Sequence, residues 1–268
     1  MLTKLIRHEF RATSRIMWPI FAGMLALTLA MRASQSVLQN ESPWLLNLLA
    51  ILVVMGFFLG LMALCFAPLA LSAVRFRDHI LKDEGYLTLT LPVNMHQLLA
   101  SKLIVSAVWY AAAFLAVVLL CMIGAFGLRD WQVVPQFAAD FLRAFGKLDG
   151  ALQGQALLFA LEVFLFCVLG VTAVSLIIYA AYAVGFSFHK HKSTLTAVFV
   201  LVFFQLVQFA AIAVLVNLFG DGFTAWSSLT GVQAGNAFFA VALVCELIVC
   251  VLFYLVTYFF LTRKLNLE

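Results

Sequence analysis

The chain has 268 residues, 65% of them hydrophobic and only 10% charged, with mean hydropathy +1.10 and a formal net charge of +4. Soluble domains carry roughly a quarter charged residues, so this much apolar surface cannot be hidden in one globular core and must face lipid. A soluble domain is excluded, and no nucleic-acid partner is expected. The five cysteines, Cys65, Cys121, Cys167, Cys245 and Cys250, all fall inside apolar runs. They read as small packing residues, not as disulfide or metal-ligand pairs.

In chain order, residues 1–15 are too polar to span a bilayer. Leu2, Leu5, Ile6 and Phe10 recur at helical spacing, and Lys4, Arg7, His8, Arg11 and Arg15 fill most of the rest. This predicts a basic amphipathic helix lying at a membrane surface. The apolar run 16–31 begins the transmembrane domain, 16–268. With its basic start it has some features of a signal peptide, but its removal would leave an odd number of spans.

A long apolar run, 44–74, makes the second span, with a Gly56-x-x-x-Gly60 pattern that lets a neighbouring helix approach and Pro68 as a kink near its end. The third span is expected at about 103–128. In the polar stretch after it, Phe137, Phe141, Leu142, Phe145 and Leu148 share one face against Asp140, Arg143 and Lys147. This predicts a second interfacial helix at about 133–149, started by Pro135. Runs at about 156–188, 194–219 and 236–261 complete six spans. Several exceed the roughly 20 residues an upright helix needs. The expected fold is therefore all-α, a polytopic membrane protein with six transmembrane helices.

Counting Lys and Arg by side orients the chain. The side holding the N-terminus, the 75–102 segment, the 189–193 loop and the C-terminus carries 12 of them, and the other side 4. Both termini are thus expected in the cytoplasm.

Motifs for chemistry within the chain are missing. There is no phosphate loop, no His-Glu-x-x-His and no Gly-x-Ser-x-Gly. The chain is read as a non-enzyme with no catalytic residues, no metal site and no cofactor of its own. Two carboxylates do fall in spans, Glu162 and Glu246, and Gln205 and Gln208 share a face of the fifth span. A charge at mid-membrane costs on the order of 3 kcal/mol unless it faces protein or water. These four residues therefore mark either a polar translocation path or interhelical hydrogen bonds that hold the bundle together.

The segment 75–102 concentrates mixed charge around Asp83-Glu84-Gly85. Residues 75–82 read as a polar continuation of the second span, ended by Gly85 in a left-handed turn. Residues 86–91 alternate Leu and Thr, Pro92 stops them, and Asn94 with Gln97 suggests a cap for the next helix. Tyr86, Leu87, Leu89 and Leu91 are too apolar for a merely solvated loop, and clustered charge of mixed sign suits a specific protein contact.

Here DEGYLTLTLPV followed by QLLASKL resembles the cytoplasmic signature of bacterial type-2 ATP-binding-cassette (ABC) exporter permeases. The resemblance implies a plasma-membrane permease whose 75–102 link is a coupling segment. It implies docking to a separate ABC ATPase, in two copies, through Arg75, Arg77, Asp78, Lys82, Asp83, Glu84, Gly85 and Tyr86. ATP and Mg would be bound by that ATPase. A second permease copy, in a homodimer, and membrane lipid are the other implied partners. The cargo, on this reading, is an amphipathic or hydrophobic peptide, toxin, drug or lipid, exported between the two permeases. Two other classes fit the composition: a stand-alone proton-coupled carrier using Glu162 and Glu246, and a non-transporting membrane scaffold or immunity protein.

Overall fold

The computed structural model describes residues 2–39, 43–81, 94–126, 133–188, 190–220 and 231–263. Every element among them is helical: α1 Leu2–Gln39, α2 Trp44–Phe76 with a π-helical end at Arg77–Leu81, α3 Met95–Phe126, α4 Val133–Gly146, α5 Gly150–Gly185, α6 Lys192–Gly220 and α7 Gly231–Arg263. Six of these helices, all but α4, are long and apolar enough to cross a membrane. Their large apolar side chains point outward in number, as with Trp44, Leu59, Phe114 and Leu201. In water that arrangement would forfeit the hydrophobic driving force; in a bilayer it costs nothing.

The chain forms two compact units. The first comprises residues 1–72 and 100–144. Its core is built where α1, α2 and α3 meet. Met24, Met31, Phe57, Leu64 and Leu120 form one buried cluster, and Met17, Val105 and Trp109 another. The glycine pattern in α2 works at one of its two positions. A Cβ on Gly60 would stand 2.6 Å from the Met24 sulfur, whereas one on Gly56 would meet only Leu27 at 4.0 Å. At the far end of α1, Arg32 donates to the Gly124 carbonyl of α3 at 3.3 Å and to Gln35 at 2.9 Å. A cation there complements the carbonyl-rich C-terminus of α3.

The first helix departs from the expected division between residues 15 and 16. α1 runs unbroken from the basic stretch into the apolar one. The reason lies in its inner face, which stays engaged throughout: Ile6, Met17 and Ile20 pack in one core cluster, and Thr13 is buried beside Trp109. Pro19 lies inside the helix without ending it. α2 likewise passes through Pro68 and continues to Phe76.

The second unit comprises residues 73–99 and 145–268. α5 and α7 are its most extensive pairing, and they run parallel: Gln155 meets Asn236, and further on Thr172 meets Cys250. α5 and α6 form an antiparallel hairpin. The Phe186 N–H closes α5 on the Tyr182 carbonyl at 3.0 Å, and His191, with φ 57°, turns the chain into α6. Gly185 is required at this corner. A Cβ there would lie 2.8 Å from the backbone N and Cα of Thr196, closer than side-chain atoms are found.

α4 is a separate short helix within the stretch 133–149, and it stops at Gly146 before α5 starts at Gly150. Phe137, Phe141 and Leu142 are exposed, and Arg143 pairs with Asp140 at 3.5 Å on the solvent side.

Candidate functional site

Two features of the second unit bear on function: the described flanks of the 75–102 segment, and a seam of polar groups between α5 and α7.

The N-terminal flank is the last turn of α2 and the π-helical turn after it. A π-helix shifts hydrogen bonding by one residue and re-aims the side chains that follow. Here it turns Ile80 and Leu81 inward, where both are buried. Phe76 is fully buried and stacks on Tyr179 of α5, with ring centroids 4.1 Å apart and planes within 7°. Arg77 holds Asp78 through two contacts, Nε to Oδ1 at 2.9 Å and a guanidinium nitrogen to Oδ2 at 3.4 Å. Arg75, Arg77 and Asp78 are all half-buried. Lys82, Asp83, Glu84, Gly85 and Tyr86 lie outside the described residues.

The C-terminal flank begins at Asn94. Its main-chain carbonyl accepts from Gln97 at 2.9 Å and Leu98 at 3.2 Å, which marks it as the N-cap of α3. One residue into the helix, His96 is tied to α7 twice. Its Nδ1 shares a hydrogen bond with the Tyr254 hydroxyl, and its ring stacks on Tyr258 at 4.4 Å and 10°. Leu98 and Leu99 are buried beneath it. Both flanks are thus fixed to spanning helices through aromatic rings, one to α5 and the other to α7.

Along the α5–α7 seam, residues at alternating three- and four-residue spacing face the partner helix. The Asn236 amide donates to the Gln155 carbonyl at 3.3 Å. Phe239 meets Phe159 and Phe166 edge to face. Cys250 contacts Thr172 at 3.6 Å. Glu246 comes so close to α5 that a Cβ on Gly170 would lie 3.1 Å from its Oε1. One oxygen each of Glu162 and Glu246 is buried without a hydrogen-bond partner among the described residues, as are the side-chain oxygens of Gln155 and Asn236. Of the four expected path residues, Glu162 and Glu246 are half-buried. Gln205 and Gln208 lie on the outward face of α6 and are exposed.

No group of His, Cys, Asp and Glu among the described residues is placed to hold a metal, and the five cysteines are free. Sequence reasoning missed the His96 clamp. Its only sequence trace is the i, i+4 pair Tyr254 and Tyr258, two rings on one helix face. It also missed a buried ion pair in the first unit: Lys102 Nζ lies 2.8 Å from Glu9 Oε1, beside a Trp109 to Thr13 hydrogen bond of 2.7 Å.

The six apolar helices define a multi-pass membrane protein. No family model, curated protein or solved structure matches the chain.

Proposed function

We propose that this chain is the membrane-spanning subunit of an ATP-driven exporter of the ABC type, acting with a separate ATPase to export an amphipathic or hydrophobic cargo. One observation carries the reading. The segment that resembles a coupling link has both described flanks seated against spanning helices, Phe76 on Tyr179 of α5 and His96 on Tyr254 and Tyr258 of α7. A force applied to the residues between those flanks would be delivered to α5 and α7, since packed aromatic contacts transmit displacement with little compliance. The mixed charge at Asp78, Lys82, Asp83 and Glu84 supplies a surface that an ATPase of complementary charge can grip. On the orientation given by the Lys and Arg count, that surface faces the cytoplasm, where ATP is. A homodimer of the chain bound to two ATPase copies would place the cargo path between two permeases.

A second reading is favoured by a different observation. Glu162 and Glu246 each keep a buried oxygen without a partner among the described residues, a state that suits a proton-carrying carboxylate. The carrier would then act alone.

One experiment separates the two. A phosphate-loop ATPase is sought among the neighbouring genes, co-expressed with the chain, purified with it, and assayed for ATP hydrolysis in lipid vesicles. The ABC reading expects stable recovery of the complex, and an Asp83→Lys/Glu84→Lys variant that inserts normally but loses about tenfold or more in complex recovery, the effect of removing a few kcal/mol of charge pairing at an interface. Unchanged recovery in that variant would falsify the docking surface. Transport driven by a pH gradient with no ATPase present would instead establish the carrier.

A further inference from the structure

We infer that the outward face of the first half of α1 is a binding surface for anionic phospholipid headgroups. Lys4, Arg7, His8, Arg11 and Arg15 are all exposed. At 100° per residue they fall within an arc of about 100°, one continuous stripe along the helix. The opposite face carries Ile6, Thr13 and Met17, which pack inside the first unit.

The sole acidic residue of α1, Glu9, is on that inner side. Lys102 holds it at 2.8 Å, and the Glu9 side chain is only 12% exposed. The carboxylate that would weaken the outer stripe is thereby turned inward and neutralised.

The stripe also ends where a bilayer would begin. Three residues beyond Arg15, on the same face, Trp18 is 67% exposed. An exposed Trp at the start of an apolar span sits at headgroup level. Because α1 is unbroken, the rise of the helix sets the height of each charge above that level. Arg15 lies about 4.5 Å above Trp18, Arg11 about 10 Å and Lys4 about 21 Å. Arg15 and Arg11 are therefore at the depth of the phosphates. Arg7 and Lys4 act on them only through the surface potential, which decays over about 8–10 Å at physiological salt. Charge complementarity commits the surface to phosphate-bearing lipid with net negative charge, in the cytoplasmic leaflet on the orientation given above. The inference stands whether or not the chain partners an ATPase.

The test uses the full chain in vesicles of phosphatidylcholine and phosphatidylglycerol, with spin-labelled forms of each lipid reporting the boundary shell. The wild type is expected to enrich phosphatidylglycerol about five- to thirty-fold, roughly what one or two basic side chains at an anionic surface supply. Raising salt to about 1 M, where the Debye length falls to about 3 Å, should abolish most of it. Arg11→Gln/Arg15→Gln should bring the ratio close to one. Lys4→Gln/Arg7→Gln should lower it less, and because it leaves Arg11 and Arg15 in place it also covers the case in which the first variant fails to insert. Unchanged enrichment in both pairs, or a larger loss from Lys4→Gln/Arg7→Gln, overturns the inference. So does displacement of the labelled lipid by inorganic phosphate at constant ionic strength, which would make the stripe a site for free anions. Loss of ATPase binding with enrichment intact would make it a protein contact and equally overturn the proposal.

Discussion

Lys102 is only 4% exposed, and its ammonium has Glu9 at 2.8 Å. Within one pair the sequence has placed a residue whose charge cannot be left alone. Removing one member of a buried ion pair costs up to about 3–5 kcal/mol, whereas removing both is close to neutral. Lys102→Met should therefore lower the stability of the purified chain by that amount, and Glu9→Gln/Lys102→Met should recover most of it. Thermal unfolding in detergent of the two variants and Glu9→Gln alone checks the cycle. In the sequence Lys102 is legible only as one more cytoplasmic lysine. Nothing local marks its partner, because Glu9 lies 93 residues away. The same holds for His96, which reads as a polar residue after a cap until α7 supplies Tyr254 and Tyr258. By contrast, Glu162 and Glu246 are conspicuous in apolar runs whatever they touch. Gln205 and Gln208 are equally conspicuous, but spacing within one helix does not say which face turns outward when every face is apolar enough for lipid.

At the scale of the element, the α5–α6 hairpin depends on the absence of one side chain. A Cβ at Gly185 would meet the backbone of Thr196 at 2.8 Å. Backbone atoms of a second helix cannot swing aside as a side chain does. Gly185→Ala should cost about 1–3 kcal/mol as the two helices are forced apart, seen as a lower unfolding midpoint. Gly60→Ala should be milder, because what it meets is the flexible end of Met24. That contrast was hidden in the sequence, where Gly56 and Gly60 advertise a packing motif and Gly185 merely precedes a short loop. Helix ends were legible to within several residues, since caps and charges mark them. The continuity of α1 was not. A change from amphipathic to apolar sequence suggests a break, yet the inner face of the helix keeps the same three- and four-residue spacing across it, from Ile6 through Thr13 and Met17 to Ile20.

For the whole molecule, six helices among the described residues are long and apolar enough to cross a membrane, and successive crossings would put their loops on alternate sides. The all-α class and the six spans were legible because hydropathy over about 20 residues reports the solvent directly. Side is a separate matter, fixed by charge, and is open to measurement. In a cysteine-free background of the full chain, Ser14→Cys should react with a membrane-impermeant maleimide only from the cytoplasmic face, and Asp149→Cys only from the other. Labelling of both from one side would rule out the topology. Cys65, Cys121 and Cys167 are exposed on the outer faces of their helices, so in the native chain they should resist the impermeant reagent in vesicles yet react with a lipid-soluble one.

The Glu9–Lys102 pair also sets an order on biogenesis. A ribosome adds roughly 5–20 residues per second, so the 93 residues between the partners take about 5–20 seconds to make. During that interval α1 carries a carboxylate and a buried-to-be Thr13 on the face meant for packing. Neither Lys102 nor Trp109 yet exists to meet them. The first helix must wait where water keeps Glu9 solvated until α3 arrives. Arrival of the third helix is then the event that closes the first unit, and a nascent chain halted before residue 102 should hold its first helix unlocked.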